Sequence, residues 1–157
     1  MLQAPSGDWL IMVDGAARGN PGPAGCGAFV RDASGLVSKK LYRYLGIATN
    51  NVAEYEALLM GLEAALALGS EKVHVESDSE LMVNQLNGLY RVRDEKLKKL
   101  YQRASDLLRQ FDSYRIAHVK REQNQVADRL ANEAIERGLG HEKSGAKAKA
   151  SKVYALP

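Results

Sequence analysis

Apolar and polar positions fall into short β-like runs early in the chain and into longer helical repeats afterwards. Residues 9–13 are a nearly unbroken apolar run that reads as a strand closed by Asp14. Residues 27–31 and 36–45 read as two more strands, joined by the hairpin turn Asp32-Ala33-Ser34-Gly35. Thr49-Asn50-Asn51 then supplies a helix start. Residues 52–68, rich in Ala and Leu and apolar on nearly every face, predict a largely buried helix stopped by Gly69. Residues 72–77 form a valine-bearing strand ending at Asp78, and residues 80–86 a short helix that Ser77 or Asp78 caps. An amphipathic helix over 95–111, a strand over 114–119 and a last helix over 123–137 complete the pattern. Antiparallel strands first, then strands separated by helices, predict a mixed α/β fold with helices on the faces of one sheet.

Composition narrows the picture. The 157 residues suggest one domain with room for a sizeable core, and 45% hydrophobic with 26% charged residues is a globular balance. No apolar run is long enough to cross a bilayer, so no membrane is expected. Residues 1–8 show neither a basic start nor an apolar stretch, so no leader is expected. The single cysteine, Cys26, fits a reducing compartment, and a cytoplasmic location is the expectation. The net charge of +3 is carried by Lys143, Lys147, Lys149 and Lys152 against Glu142, leaving residues 1–138 formally neutral. The expected division is a folded domain over 1–138 and a flexible basic tail over 139–157, in which residues 153–156 are the stretch able to dock. A polyanion would meet the body through local patches only.

Four acids stand out by position. Asp14 and Asp78 follow strands, Glu54 is expected in the first turn of the buried helix, and Asp128 lies in the last helix beside its apolar face. Function in open α/β sheets gathers beyond the carboxyl ends of strands. Each acid also has a local reading: Glu54 has capping-box spacing from Asn51, Asp78 suits a cap, and Asp128 suits a solvated helix face. Together they point to a cation site, because several carboxylates are not buried side by side without neutralisation. Oxygen-only ligands suit a hard divalent ion such as Mg²⁺ or Mn²⁺. The segment behind Asp14, rich in Gly and Pro, offers bare backbone for a polyanion to approach.

Four motifs in order carry a family resemblance: Asp14-Gly15 with Asn20-Pro21-Gly22-Pro23, Thr49-Asn50-Asn51-Val52-Ala53-Glu54, Ser77-Asp78-Ser79, and Asn124-Gln125-Val126-Ala127-Asp128. Over roughly residues 8–137 the chain resembles ribonuclease H of type 1. The resemblance implies a five-stranded mixed sheet, the first three strands antiparallel and the fourth and fifth parallel to the first, with helices on both faces. It implies an endoribonuclease that cuts the RNA strand of RNA–DNA hybrids, leaves 5′-phosphate and 3′-hydroxyl ends, and acts as a monomer. Two Mg²⁺ ions would be held by Asp14, Glu54, Asp78 and Asp128, with Mn²⁺ able to substitute. Asn20, Asn50 and Asn51 would hydrogen-bond the hybrid in its minor groove, with Gly15, Thr49, Ser79 and Asn124 as further substrate contacts.

Two departures from the family pattern matter. Residues 119–128 are short and lack the loop histidine of many members; Lys120 or Arg121 is the weaker candidate for a cation near the scissile phosphate, and His118 reads as a structural strand residue. Residues 87–99 lack the basic, Trp-bearing protrusion, leaving Tyr90, Arg91 and Arg93, with Lys96, Lys98 and Lys99, to touch the DNA backbone. The chain thus resembles the compact subgroup, some of whose members accept double-stranded RNA. Two rival readings are a hybrid-binding module without turnover and a different nuclease on the same fold.

Overall fold

A computed structural model describes residues 7–143 and 152–156. Its elements are β1 (Trp9–Ala17), β2 (Gly22–Arg31), β3 (Ser38–Ala48), α1 (Asn50–Ala67), β4 (Lys72–Ser77), α2 (Glu80–Leu86), α3 (Glu95–Leu108), β5 (Ser113–His118), α4 (Gln125–Lys143) and β6 (Val153–Leu156). They build one mixed sheet in the order β5-β4-β1-β2-β3-β6. β1 pairs antiparallel with β2 and parallel with β4, and β4 pairs parallel with β5. The mixed topology is as expected; the strand count is not. Residues 153–156 add a sixth strand, antiparallel to β3, with Tyr154 stacked on Tyr42 at 5.4 Å between ring centroids. Of the segment expected as a flexible tail, residues 139–143 continue α4 and 153–156 form β6, while 144–151 lie outside the described residues.

The strands after Asp14 also depart from expectation. β1 runs on to Ala17 and β2 begins at Gly22, so the Gly/Pro-rich segment is mostly paired hairpin. Asp14 therefore lies within a strand, although it is the first residue past the parallel ladder, whose last pair is Val13↔Ser77. Glycine in β2 serves packing: a Cβ on Gly27 would lie 2.6 Å from the Ala127 carbonyl oxygen and 2.5 Å from the Leu130 Cβ. Bare backbone here lets α4 lie directly on the sheet.

The two faces carry unequal cores. Ile11, Val13, Val73 and Val75 pack with Leu58, Leu62, Met82, Leu97 and Leu108 under α1, α2 and α3. The smaller cluster under α4 is Tyr42, Leu130 and Ala134, with Val126 and Leu156 packed against it. Past its two exposed asparagines, α1 is buried from Val52 to Leu62 apart from Glu56, as its largely apolar sequence predicts. That burial fixes the height at which α1 delivers Glu54 to the sheet edge.

Candidate active site

Strand register decides where Asp14 points. Its antiparallel partner is Gly27, so Asp14 shares the sheet face that Gly27 presents to α4, under the turn carrying Asp128. Glu54 arrives from the opposite side. A Cβ on Gly15 would lie 2.2 Å from the backbone of Ala53, so only glycine lets β1 come this close to α1. The freedom assigned to Gly15 for substrate approach is thus spent on holding Glu54 over the strand.

Asp14, Glu54 and Asp78 each offer a carboxylate oxygen within 4.8 Å of the others, the one such cluster among the described residues. Asp128 stands at the margin, close enough to help raise the Asp14 carboxyl. All four acids line one cavity of about 700 Å³. Burial, then the charges of Glu54 and Asp78, push the Asp14 carboxyl up to about 10. Burial and the charge of Asp78 raise Glu54 to about 8, against the lowering pull of the Asp14 hydrogen bond, the Gly15 N–H and Arg121. One Glu54 oxygen, Oε2, is buried without a hydrogen-bond partner. Oxygen-only donors, an orphaned acceptor and carboxyls that resist ionisation fit a divalent cation supplied from outside the chain.

The local alternatives for these acids are settled by the caps. Thr49 caps α1, accepting the Val52 N–H at 3.2 Å, which places Glu54 beyond the first turn and removes the capping-box reading. Ser79, not Ser77 or Asp78, caps α2, accepting the Met82 N–H at 3.2 Å. The Thr49 and Ser79 hydroxyls therefore have structural partners. Asn124 is a clearer correction to the expected substrate contacts. It is fully buried, and its Nδ2 donates to the Val13 carbonyl at 2.9 Å, tying the start of α4 to the residue before Asp14.

Asn20 and Asn50 cross-brace the hairpin tip and α1. The Ala17 N–H donates to the Asn50 Oδ1 at 3.0 Å, and the Asn50 N–H donates to the Asn20 Oδ1 at 3.1 Å. Asn20, Asn50 and Asn51 are exposed. Lys120 and Arg121 are exposed on the cavity wall, with Arg121 3.7 Å from Asp128. Tyr90, Arg91 and Arg93 are exposed but do not line the acid cavity. A separate groove of about 500 Å³ beside Val52 carries Arg43, Lys96, Lys99 and Arg103.

Four polar lining residues, Arg18, His118, Glu122 and Asn132, were given no site role by the sequence. His118 ends β5, is exposed and lines the cavity, which corrects its reading as a structural strand residue. Asn132 donates to the Asp128 carbonyl at 2.9 Å, and Arg18 reaches the cavity from the hairpin. Asn132 was findable, lying four residues after Asp128 on one helix face. Arg18 and His118 carried no spacing signal.

A mixed sheet that gathers acids past the ends of its parallel strands, beside a helix start, defines a class of α/β proteins with a hard-cation site. Comparison with known proteins agrees. A family model described as reverse transcriptase-like matches residues 12–134. A bifunctional protein of Mycobacterium tuberculosis is 44% identical over 128 residues, covering 81% of this chain and 35% of its own length. Ribonuclease HI of Halobacterium salinarum is 43% identical, covering 78% and 62% respectively. The chain thus spans about a third of the first relative and under two thirds of the second. A solved structure of LC11-RNase H1 in complex with RNA/DNA hybrid superposes with a TM-score of 0.77 at 40% identity, covering 84% of this chain and 99% of that one. The chain belongs to the type 1 ribonuclease H family.

Proposed function

We propose that this chain is an endoribonuclease that hydrolyses the RNA strand of RNA–DNA hybrids, leaving 5′-phosphate and 3′-hydroxyl ends. The observation that carries the reading is the convergence of Asp14, Glu54 and Asp78, each with a carboxylate oxygen within 4.8 Å of the others. The four carboxylates would hold two Mg²⁺ ions, or Mn²⁺ in their place, which when bound neutralise phosphate charge and lower the pKa of water. Asp14, on which Glu54, Asp78 and Asp128 all act, would be the central ligand; Glu54 and Asp78 would complete the set, and Asp128 would hold metal at its margin.

The remaining residues position the duplex. Asn20 and Asn50 each use their amide oxygen on backbone, which fixes the side chain and leaves the NH₂ group to donate into the minor groove. Asn51 extends that row, where a 2′-hydroxyl distinguishes RNA from DNA. Arg121, on the exposed wall near Asp128, meets the phosphate of the cut strand. Arg43, Lys96, Lys99 and Arg103 offer the second strand a charged groove. No covalent nucleophile is required; catalysis rests on positioning and charge neutralisation.

All four acids come from one chain, which supports a monomer as the working unit. No helix among the described residues is long and apolar enough to cross a membrane, and Cys26 is a buried free thiol; both accord with work in the cytoplasm. Gel analysis of labelled hybrid, double-stranded RNA and single-stranded RNA, with Mg²⁺, Mn²⁺ or chelator, tests the reading. Internal cuts in hybrid that need the metal are expected, with double-stranded RNA as a slower substrate. Binding of hybrid without cleavage would leave a binding module, and cutting only from ends would leave an exonuclease.

A further inference from the structure

Arg18 is the cation that the β1–β2 hairpin brings to the acid cavity. Its backbone is anchored: its N–H donates to the Pro23 carbonyl at 2.8 Å, and the neighbouring Ala17 N–H donates to Asn50. From this fixed tip the side chain spans to α4, where the guanidinium lies 2.5 Å from Glu136. Asp128, Asn132 and Glu136 recur every four residues and so share one helix face, roughly 12 Å long at the ordinary helical rise. Arg121 stands at the Asp128 end of that stripe and Arg18 at the Glu136 end. A nucleotide strand rises about 3.4 Å per step, so the two arginines are several nucleotides apart.

The pair with Glu136 does not account for Arg18 on its own. Its two side chains are 41% and 64% exposed, and such pairs add little to stability. A phosphate offers the planar guanidinium the same two-point contact with more charge.

We propose that Arg18 grips a backbone phosphate of the cut strand away from the scissile bond, exchanging Glu136 for that phosphate as the strand seats. The hairpin and α4 then clamp one strand between two arginines, and the clamp sets which bond lies over the acids. Glu136 is a positioning residue that holds the guanidinium at the cavity mouth until the strand arrives. This inference rests on the hybrid-cleavage reading above.

The test is steady-state cleavage of a labelled hybrid with Mg²⁺ across a series of KCl concentrations. Arg18→Ala is expected to raise KM about tenfold, to leave kcat within about threefold, and to reduce the slope of log KM against log salt by about one unit. Arg18→Lys should keep the slope and lose part of the affinity. The control is Arg109→Ala, which removes the same charge from an exposed pair with Asp106 just after α3, near the start of β5 and away from the acids. It should match wild type in both KM and slope. Glu136→Gln should lower KM, because the incoming phosphate no longer displaces a charged partner from Arg18. Arg18→Ala should melt with wild type; if it melts early, Arg18→Gln gives the same readout. Absence of hybrid cleavage by wild type would sink the function itself. Cleavage by wild type with Arg18→Ala indistinguishable from Arg109→Ala would sink the Arg18 proposal and leave the function standing. A fall in kcat at constant KM, or a rise in KM for Glu136→Gln equal to that of Arg18→Ala, would also overturn it.

Discussion

The buried acids of this sheet are treated in opposite ways: Glu76 within β4, and the pair Asp14 on β1 and Glu54 on α1. Glu76 is 3% exposed and has a partner on its own strand, His74, whose Nε2 lies 3.2 Å from its Oε2. Asp14 and Glu54, 4% and 9% exposed, are crowded by each other and by the charge of Asp78, and the Gly15 N–H and Arg121 offset this for Glu54 only in part. Burial of the first acid is met within the chain, while burial of the second set leaves a deficit that only an external cation removes. The difference separates a structural carboxylate from a functional one where exposure alone does not.

The largest effect should come from breaking the deficit. Asp14→Asn is expected to reduce hybrid turnover by about a thousandfold or more, because a carboxamide cannot supply the missing charge. Without metal the same variant should melt higher than wild type, by about 5 °C, since a raised folded-state pKa marks a destabilising group. Thermal denaturation in chelator checks this, and a lower melting temperature would count against the cluster.

Glu76→Ala should behave in the reverse sense. It leaves His74 without its partner at Nε2, where Nδ1 already has none, and is expected to cost about 2 kcal/mol in urea unfolding. Turnover per folded molecule should stay within about twofold of wild type.

The third prediction concerns pH. Asp14 and Glu54 keep their protons in the folded state to about 10 and about 8, whereas in the unfolded chain they lose them in the ordinary carboxylate range. Unfolding therefore releases protons, and stability falls as pH rises from about 4 through those two values. Melting curves in chelator should show the decline, Mg²⁺ should flatten it, and Asp14→Asn should remove most of it. A melting temperature that rises with pH over that window would contradict the assignment.

The smallest expected effect lies far from the acids. Tyr154→Ala removes the stack on Tyr42 and should destabilise the chain by about 1 kcal/mol without altering cleavage.

Much of the comparison was legible before any coordinates. The order of Asp14, Glu54, Asp78 and Asp128 along the chain carries the family pattern, although Asp14 proves to lie within β1 and not after it. The strands themselves were legible where one face is buried. The segment from Gly15 to Gly27 was not, because its glycines and prolines signal turns locally while their use is tertiary: Gly15 admits α1 and Gly27 admits α4. β6 was illegible for a similar reason, since four residues of moderate β-propensity become a strand only because β3 presents a free edge. Asn124 looked like a surface amide, yet it reaches a carbonyl 111 positions away, which no local pattern encodes. Arg18, and the place of His118 on the cavity wall, needed the cavity to exist before they could be seen.

Calorimetric titration of Mn²⁺ into the metal-free protein near neutral pH, repeated in two buffers of different ionisation enthalpy, probes the unneutralised carboxylates most directly. Cation binding should expel protons from the Asp14–Glu54–Asp78 cluster, so the apparent heat should differ between the buffers, and Asp14→Asn should lose most of that difference. Tight binding with the same heat in both buffers, or proton release undiminished in Asp14→Asn, would contradict the assignment of these acids as a cation site.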